Sequence, residues 1–122
     1  MKREIKISAG QIGVKAYLNE TNTANRVWDA LPITASANTW GDEIYFTIPV
    51  QAELENAKEL VSLGDIGYWP PGKAMCLFFG KTPISKGDEI RPASAVNIIG
   101  KIEGDLKLLR KVKDGDTINI RR

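Results

Sequence analysis

Apolar side chains return at every second residue near the start of this chain: Ile5 and Ile7, then Ile12, Val14, Ala16 and Leu18. Period two puts one face of an extended segment in a core and the other in water, so these residues predict two strands. Gly10 separates the runs and Gly13 interrupts the second, which predicts a hairpin with a turn and a bulge. Further strands are predicted at about 33–38, 42–50, 65–69, 74–80, 96–103 and 116–121. In the second of these, Ile44, Phe46 and Ile48 alternate with Tyr45 and Thr47.

Helical spacing is confined to one clear segment. Ala24, Val27, Trp28 and Leu31 fall at i, i+3, i+4 and i+7. Thr21, Asn22 and Thr23 offer N-caps before them and Pro32 stops the run, which predicts a helix over 23–31 with Trp28 packed on the sheet. Residues 53–63 have too few apolar positions to bury a helical face and predict a turn or short helix. Leu106, Leu108 and Leu109 predict one helical turn, and Asp114-Gly115 a reversal into the last strand. Residues 81–95, with Pro83, Gly87-Asp88 and Pro92, form a long polar connection of the kind that is often functional.

About eight short strands and one or two short helices favour a mainly β, closed, mostly antiparallel barrel, since closure removes sheet edges. The chain has 122 residues, enough for one core and one domain over 1–122.

Composition removes several kinds of chemistry. With no histidine, Ser-His-Asp triads, Cys-His pairs and His-ligated metals are excluded. The single Cys76 permits no intrachain disulfide, and its apolar setting, Met75-Cys76-Leu77-Phe78-Phe79, marks it as a packing residue. Asp42, Asp65 and Asp88 each follow a glycine and read as turn acids. No metal, cofactor or catalytic residue is therefore expected. A net charge of +2 predicts no nucleic-acid or membrane partner. Residues 101–122 hold seven basic and four acidic groups, and this mixture reads as solvated surface. No leader or apolar span is visible, so a soluble cytoplasmic protein is expected.

Four stretches, read in order, resemble cyclophilins. The helix segment 23–31 begins Thr-Ala and runs to Leu, and GDEIYFTIP (41–49) keeps the spacing of Gly-x-x-Phe-His-Arg-x-Ile-Pro. Phe78-Phe79, following GDIGYWPPG (64–72), resembles the Ser-Gln-Phe-Phe strand, and VNIIGKIEGDLKLLRKV (96–112) resembles the Val-Val-Phe-Gly-Lys-Val-x-Glu-Gly segment with its helix. TANxxxxxLP, NTWGDEIYF, GDxxYWPPGxAxCxFFGxTP and VNxxGKI are more similar still to a small prokaryotic cyclophilin-like family of uncharacterised proteins. That resemblance implies a compact eight-stranded cyclophilin-like barrel without implying a reaction.

The same register argues against efficient proline isomerisation. Cyclophilins present an Arg to the substrate backbone, and here Phe46 takes that place with Tyr45 at the preceding His. Val96 stands where a second His belongs, and Val-Gln-Ala-Glu replaces Gln-Gly-Gly-Asp after Pro49. Phe79 alone holds a pocket position. The resemblance instead brings Trp40, Tyr45, Phe46, Tyr68, Trp69 and Phe79 towards one open face, with Glu43 at its rim. Glu43 and Tyr45, two apart on a strand, share a side. Aromatic walls with a few polar tips suit a small-molecule or short-peptide ligand. The alternatives are a residual or altered peptidyl-prolyl isomerase, or a subunit of an amide-processing assembly, the latter by fold analogy alone. The sequence is silent on oligomeric state.

Overall fold

The structure is a computed structural model describing residues 3–122. Its strands are β1 (Arg3–Ala9), β2 (Ile12–Leu18), β3 (Ile33–Ser36), β4 (Asn38–Thr39), β5 (Glu43–Thr47), β6 (Asp65–Trp69), β7 (Ala74–Phe78), β8 (Asn97–Glu103) and β9 (Thr117–Arg121). All nine lie in one sheet, ordered β3-β9-β1-β2-β8-β6-β7-β5-β4, and every pairing is antiparallel. The two edge strands, β3 and β4, are separated in sequence only by Ala37. Ala37 N–H donates to Asp116 O, and its carbonyl accepts from Gly115 N–H, both at 2.8 Å. The sheet therefore curls round until its ends nearly meet. The barrel is nearly closed, with nine strands where the sequence predicts about eight.

The alternating residues do what their period requires. Ile5, Ile7, Val14, Ala16 and Leu18 point into the barrel. β1 and β2 pair from Arg3↔Leu18 to Ala9↔Ile12 around a two-residue turn at Gly10 (φ +60°). Gly13 pairs with Ser8 in unbroken register, so the expected bulge is absent there; the sheet's irregularity lies at Ile66/Gly67, against β8.

The helix α1 (Asn22–Ala30) closes one end of the barrel. Of the three candidate caps Thr21 serves, its hydroxyl accepting from Ala24 N–H at 3.2 Å. Ala24 and Val27 enter the core, while Trp28 packs on it half-buried, with the Arg122 guanidinium 4.4 Å from its ring centroid. Residues 106–111 form a 3₁₀ helix. Residues 53–63 contain no helix. They take an irregular course, with bends at 55–56 and 59–60, a positive φ at Asn56 and a turn beginning at 63, tied by single bridges Lys58↔Val96 and Val61↔Ile90. Among the described residues no helix is long and apolar enough to cross a membrane.

β7 is buried along its whole length, on both faces. Met75 and Leu77 face the barrel interior, whereas Ala74, Cys76 and Phe78 pack outside it with Ile90 and Val96. The connection 81–96 thus lies over the outer face of β5, β7 and β6 as a strap. Its course is stitched in place: Thr82 N–H donates to Ser85 Oγ, Arg91 N–H donates to the same oxygen, and Arg91 pairs with Glu89 at 2.8 Å.

Candidate functional site

The strap encloses a cavity of about 140 Å³ against the outer face of the sheet. Three of its walls are aromatic: Trp40, Tyr45 and Trp69. Pro92, Ala93 and Val96 of the strap close the opposite side, and Glu43 and Cys76 supply the polar atoms.

Strand register explains the convergence. In β5 the side chains alternate, so Glu43 and Tyr45 face outward while Ile44 and Phe46 face inward. Tyr45 pairs with Cys76 and Glu43 with Phe78, which puts all four on the strap side. Trp40 faces Glu43 across the β4–β5 turn, where each N–H donates to the other's carbonyl, at 2.9 and 3.2 Å. This two-residue turn needs a positive φ at its first central position, and Gly41 provides it at +62°. A Cβ there would also lie 2.8 Å from Lys81 O, so only glycine lets the turn sit against the start of the strap.

Trp69 ends β6, with its ring over Gly72, where an added Cβ would lie 2.8 Å from the indole. Its Nε1–H donates to Ser94 Oγ at 2.6 Å, tethering the ring to the strap. Gly67, between them, permits Val96 to approach the sheet; a Cβ would meet its Cγ2 at 2.9 Å.

Three residues expected at this face are turned away from it. Phe46 and Tyr68 are fully buried inside the barrel, and Phe79 is buried with the same interior cluster. The reason is parity. Phe46 and Tyr68 sit one residue from Tyr45 and Trp69, so they take the opposite face, and Phe79 follows Phe78 in the same way. Tyr68 spends its hydroxyl inside, donating to Val50 O at 2.7 Å and accepting from Ala52 N–H. Trp40, Glu43, Tyr45 and Trp69 do meet.

Glu43 is not at the rim. Only 5% of it is exposed, and its Oε1 is the one buried side-chain oxygen or nitrogen without a hydrogen-bond partner among the described residues. Burial raises its pKa to about 7, opposed weakly by the neighbouring Cys76 thiol. That thiol has one hydrogen, and its other contact, Ala74 O at 3.9 Å, is long and weak. Burial and the adjacent Glu43 charge push the Cys76 pKa well above its usual value, so it stays a thiol and is no nucleophile at neutral pH.

The sequence reading assigned Cys76 to packing and named Val96 only as the place of a missing His; Pro92 was noted only as part of the long connection 81–95, and Ala93 went unremarked. A signal was present. Five consecutive apolar residues in β7 mean that both strand faces are covered, and only the long connection after it was free to cover the outer one.

Residues 3–121 match the family described as Cyclophilin-like. Among solved structures, the hypothetical protein AF2241 from Archaeoglobus fulgidus is 49% identical, with 99% of this chain and 95% of that one covered and a TM-score of 0.84. McbB, solved in complex with tryptophan, superposes with a TM-score of 0.72 at 17% identity; 97% of this chain spans 44% of McbB, a likeness of fold alone. No curated protein matches the chain. With a match running almost end to end and a barrel shared with a protein of nearly equal length, the chain belongs to the cyclophilin-like family.

Proposed function

We propose that the protein is a binding module for a small organic molecule, held in the cavity between the sheet and the strap. The observation that carries this is the unpartnered Oε1 of Glu43, buried in a cavity with aromatic walls. A native fold rarely leaves a buried polar atom without a partner, because the desolvation penalty is about 1–3 kcal/mol or more for a charged group. A ligand that hydrogen-bonds Glu43 removes that penalty. At about 140 Å³ the cavity suits a ligand of roughly benzene size, which engineered cavities near that volume accept, and favours a small molecule over a peptide.

Two features weigh against proline isomerisation at this site. Phe46, in the position of the catalytic Arg, is enclosed in the barrel, and no basic side chain lines the cavity. Losing such a donor lowers rates on the order of 10²–10³.

A fragment screen followed by indole and backbone NMR tests the proposal. Binders are expected to shift the Trp40 and Trp69 indole signals and leave Trp28 unmoved. A screen whose hits all map elsewhere, or turnover of a proline tetrapeptide well above background in a protease-coupled assay, overturns it.

A further inference from the structure

We infer that the ligand is a small organic cation, whose N–H group donates to Glu43 while its body lies among Trp40, Tyr45 and Trp69. This rests on the cavity being a binding site and specifies what it binds.

The cavity holds one group capable of carrying charge at neutral pH, and that charge is negative. Tyr45 faces Glu43 from its own strand, and Cys76 faces it from β7 as a thiol whose pKa burial and the Glu43 charge push well up. Trp40, Trp69 and the three strap residues of the lining, Pro92, Ala93 and Val96, have no titratable group, and the strap's Arg91 is paired with Glu89 outside the lining. The nearby Asp42 is engaged with Arg110 at 3.5 Å, and neither of those lines the cavity. A buried carboxylate normally comes with a cationic partner. Here the protein supplies none, so the partner must arrive with the ligand.

The walls fit the same charge. The faces of Trp and Tyr carry a negative quadrupole, and two tryptophans with a tyrosine attract an ammonium or guanidinium group and repel a carboxylate. Oε1 needs a donor, which favours a primary or secondary ammonium or an amidinium over a quaternary one. The apolar strap residues accommodate a short hydrocarbon body.

Binding a cation favours the ionised form of Glu43, so affinity must fall as the carboxyl takes up its proton. With a pKa of about 7, the ionised fraction drops about 30-fold between pH 8 and pH 5.5.

The test titrates n-butylammonium, n-butanol and butyrate into the intact protein at pH 8 and pH 5.5, read by the Trp40 and Trp69 indole signals. Butylammonium stays charged throughout. It is expected to bind at least tenfold more tightly than butanol at pH 8, and to lose most of that advantage at pH 5.5. Glu43→Gln is expected to abolish both the preference and its pH dependence while still binding butanol, which shows the cavity intact. Equal binding of cation and alcohol at pH 8, or tighter binding of butyrate, overturns the cation assignment and leaves the binding site standing. Failure of all three probes to reach the cavity at millimolar concentration overturns both.

Discussion

Two concavities lined in part by glutamate have opposite character. The cleft beside the start of α1, lined by residues 22–26 and 51–55, is larger, about 490 Å³ against about 140 Å³. Of its two glutamates, Glu55 is fully occupied: it accepts from Asn22 N–H and Thr23 N–H at 3.0 Å and from Thr23 Oγ1–H at 2.8 Å. Those donors hold its carboxyl below the usual range. Glu43 has few such partners and moves the other way, pushed up by burial. The larger hollow is therefore a structural joint, in which a side chain caps a helix start left with unpaired N–H groups. The smaller one keeps unsatisfied chemistry.

The largest effect is expected from breaking the joint. Asn97 Nδ2 donates to Thr23 Oγ1 at 3.1 Å and Glu53 O at 2.8 Å, and its Oδ1 accepts from Glu55 N–H at 2.7 Å. Asn97→Ala leaves these buried groups without partners and is expected to lose about 3 kcal/mol in chemical denaturation. Ligand shifts at Trp40 should survive under conditions where the variant remains folded. A loss of binding with unchanged stability would instead join the two regions functionally.

The next effect concerns Glu43 and has a definite sign. Below its unfolded pKa of about 4.5, residue 43 is protonated in folded and unfolded chains alike. As pH climbs to about 7 the unfolded chain gives up that proton and the folded one keeps it, so stability falls across this window. The decline attributable to Glu43 is about 2–3 kcal/mol. Urea midpoints of the native protein and Glu43→Gln are expected to diverge from pH 4.5 to 7.5, the variant becoming relatively more stable. Parallel curves would show that Glu43 is solvated and would erase the contrast.

Glu55→Gln is expected to cost about 1 kcal/mol at pH 7, since one charged acceptor at the helix start becomes neutral. Its pH dependence runs in the opposite sense. The stability Glu55 contributes is present above about pH 4.5 and is lost as pH falls through its lowered folded value. Smallest is Ser94→Ala, which frees the Trp69 indole N–H at the edge of the strap. A change of about 0.5 kcal/mol in stability is expected, with a few-fold loss of probe affinity from a less firmly held ring.

Much of this arrangement was readable from the residues. Ile5 to Leu18 declare a hairpin because period two has one structural solution, and the spacing of Ala24, Val27 and Trp28 declares the helix for the same kind of reason. The site was half legible. Glu43 and Tyr45 could be placed on one face by counting, and Trp40 and Trp69 were brought to it by the resemblance. Phe46, Tyr68 and Phe79 were gathered there by resemblance, although counting from Tyr45, Trp69 and Phe78 turns each of them inward. The part that counting cannot reach is the strap. Residues 81–96 have no period, and their course is set by the side chains of Ser85 and Thr82 bonding to backbone within the strap itself. The depth of Glu43 follows from that cover and from nothing in its own neighbourhood of sequence.

The strap meets the barrel by side-chain contact and by bridges to residues 58 and 61, which themselves lie outside the named strands. Pro92 and Ala93 contribute no rung to any ladder of the sheet. Changing either residue removes no strand-pairing hydrogen bond from the scaffold beneath them. Libraries built at positions 92 and 93 would therefore alter the cover of the proposed site without touching strand pairing.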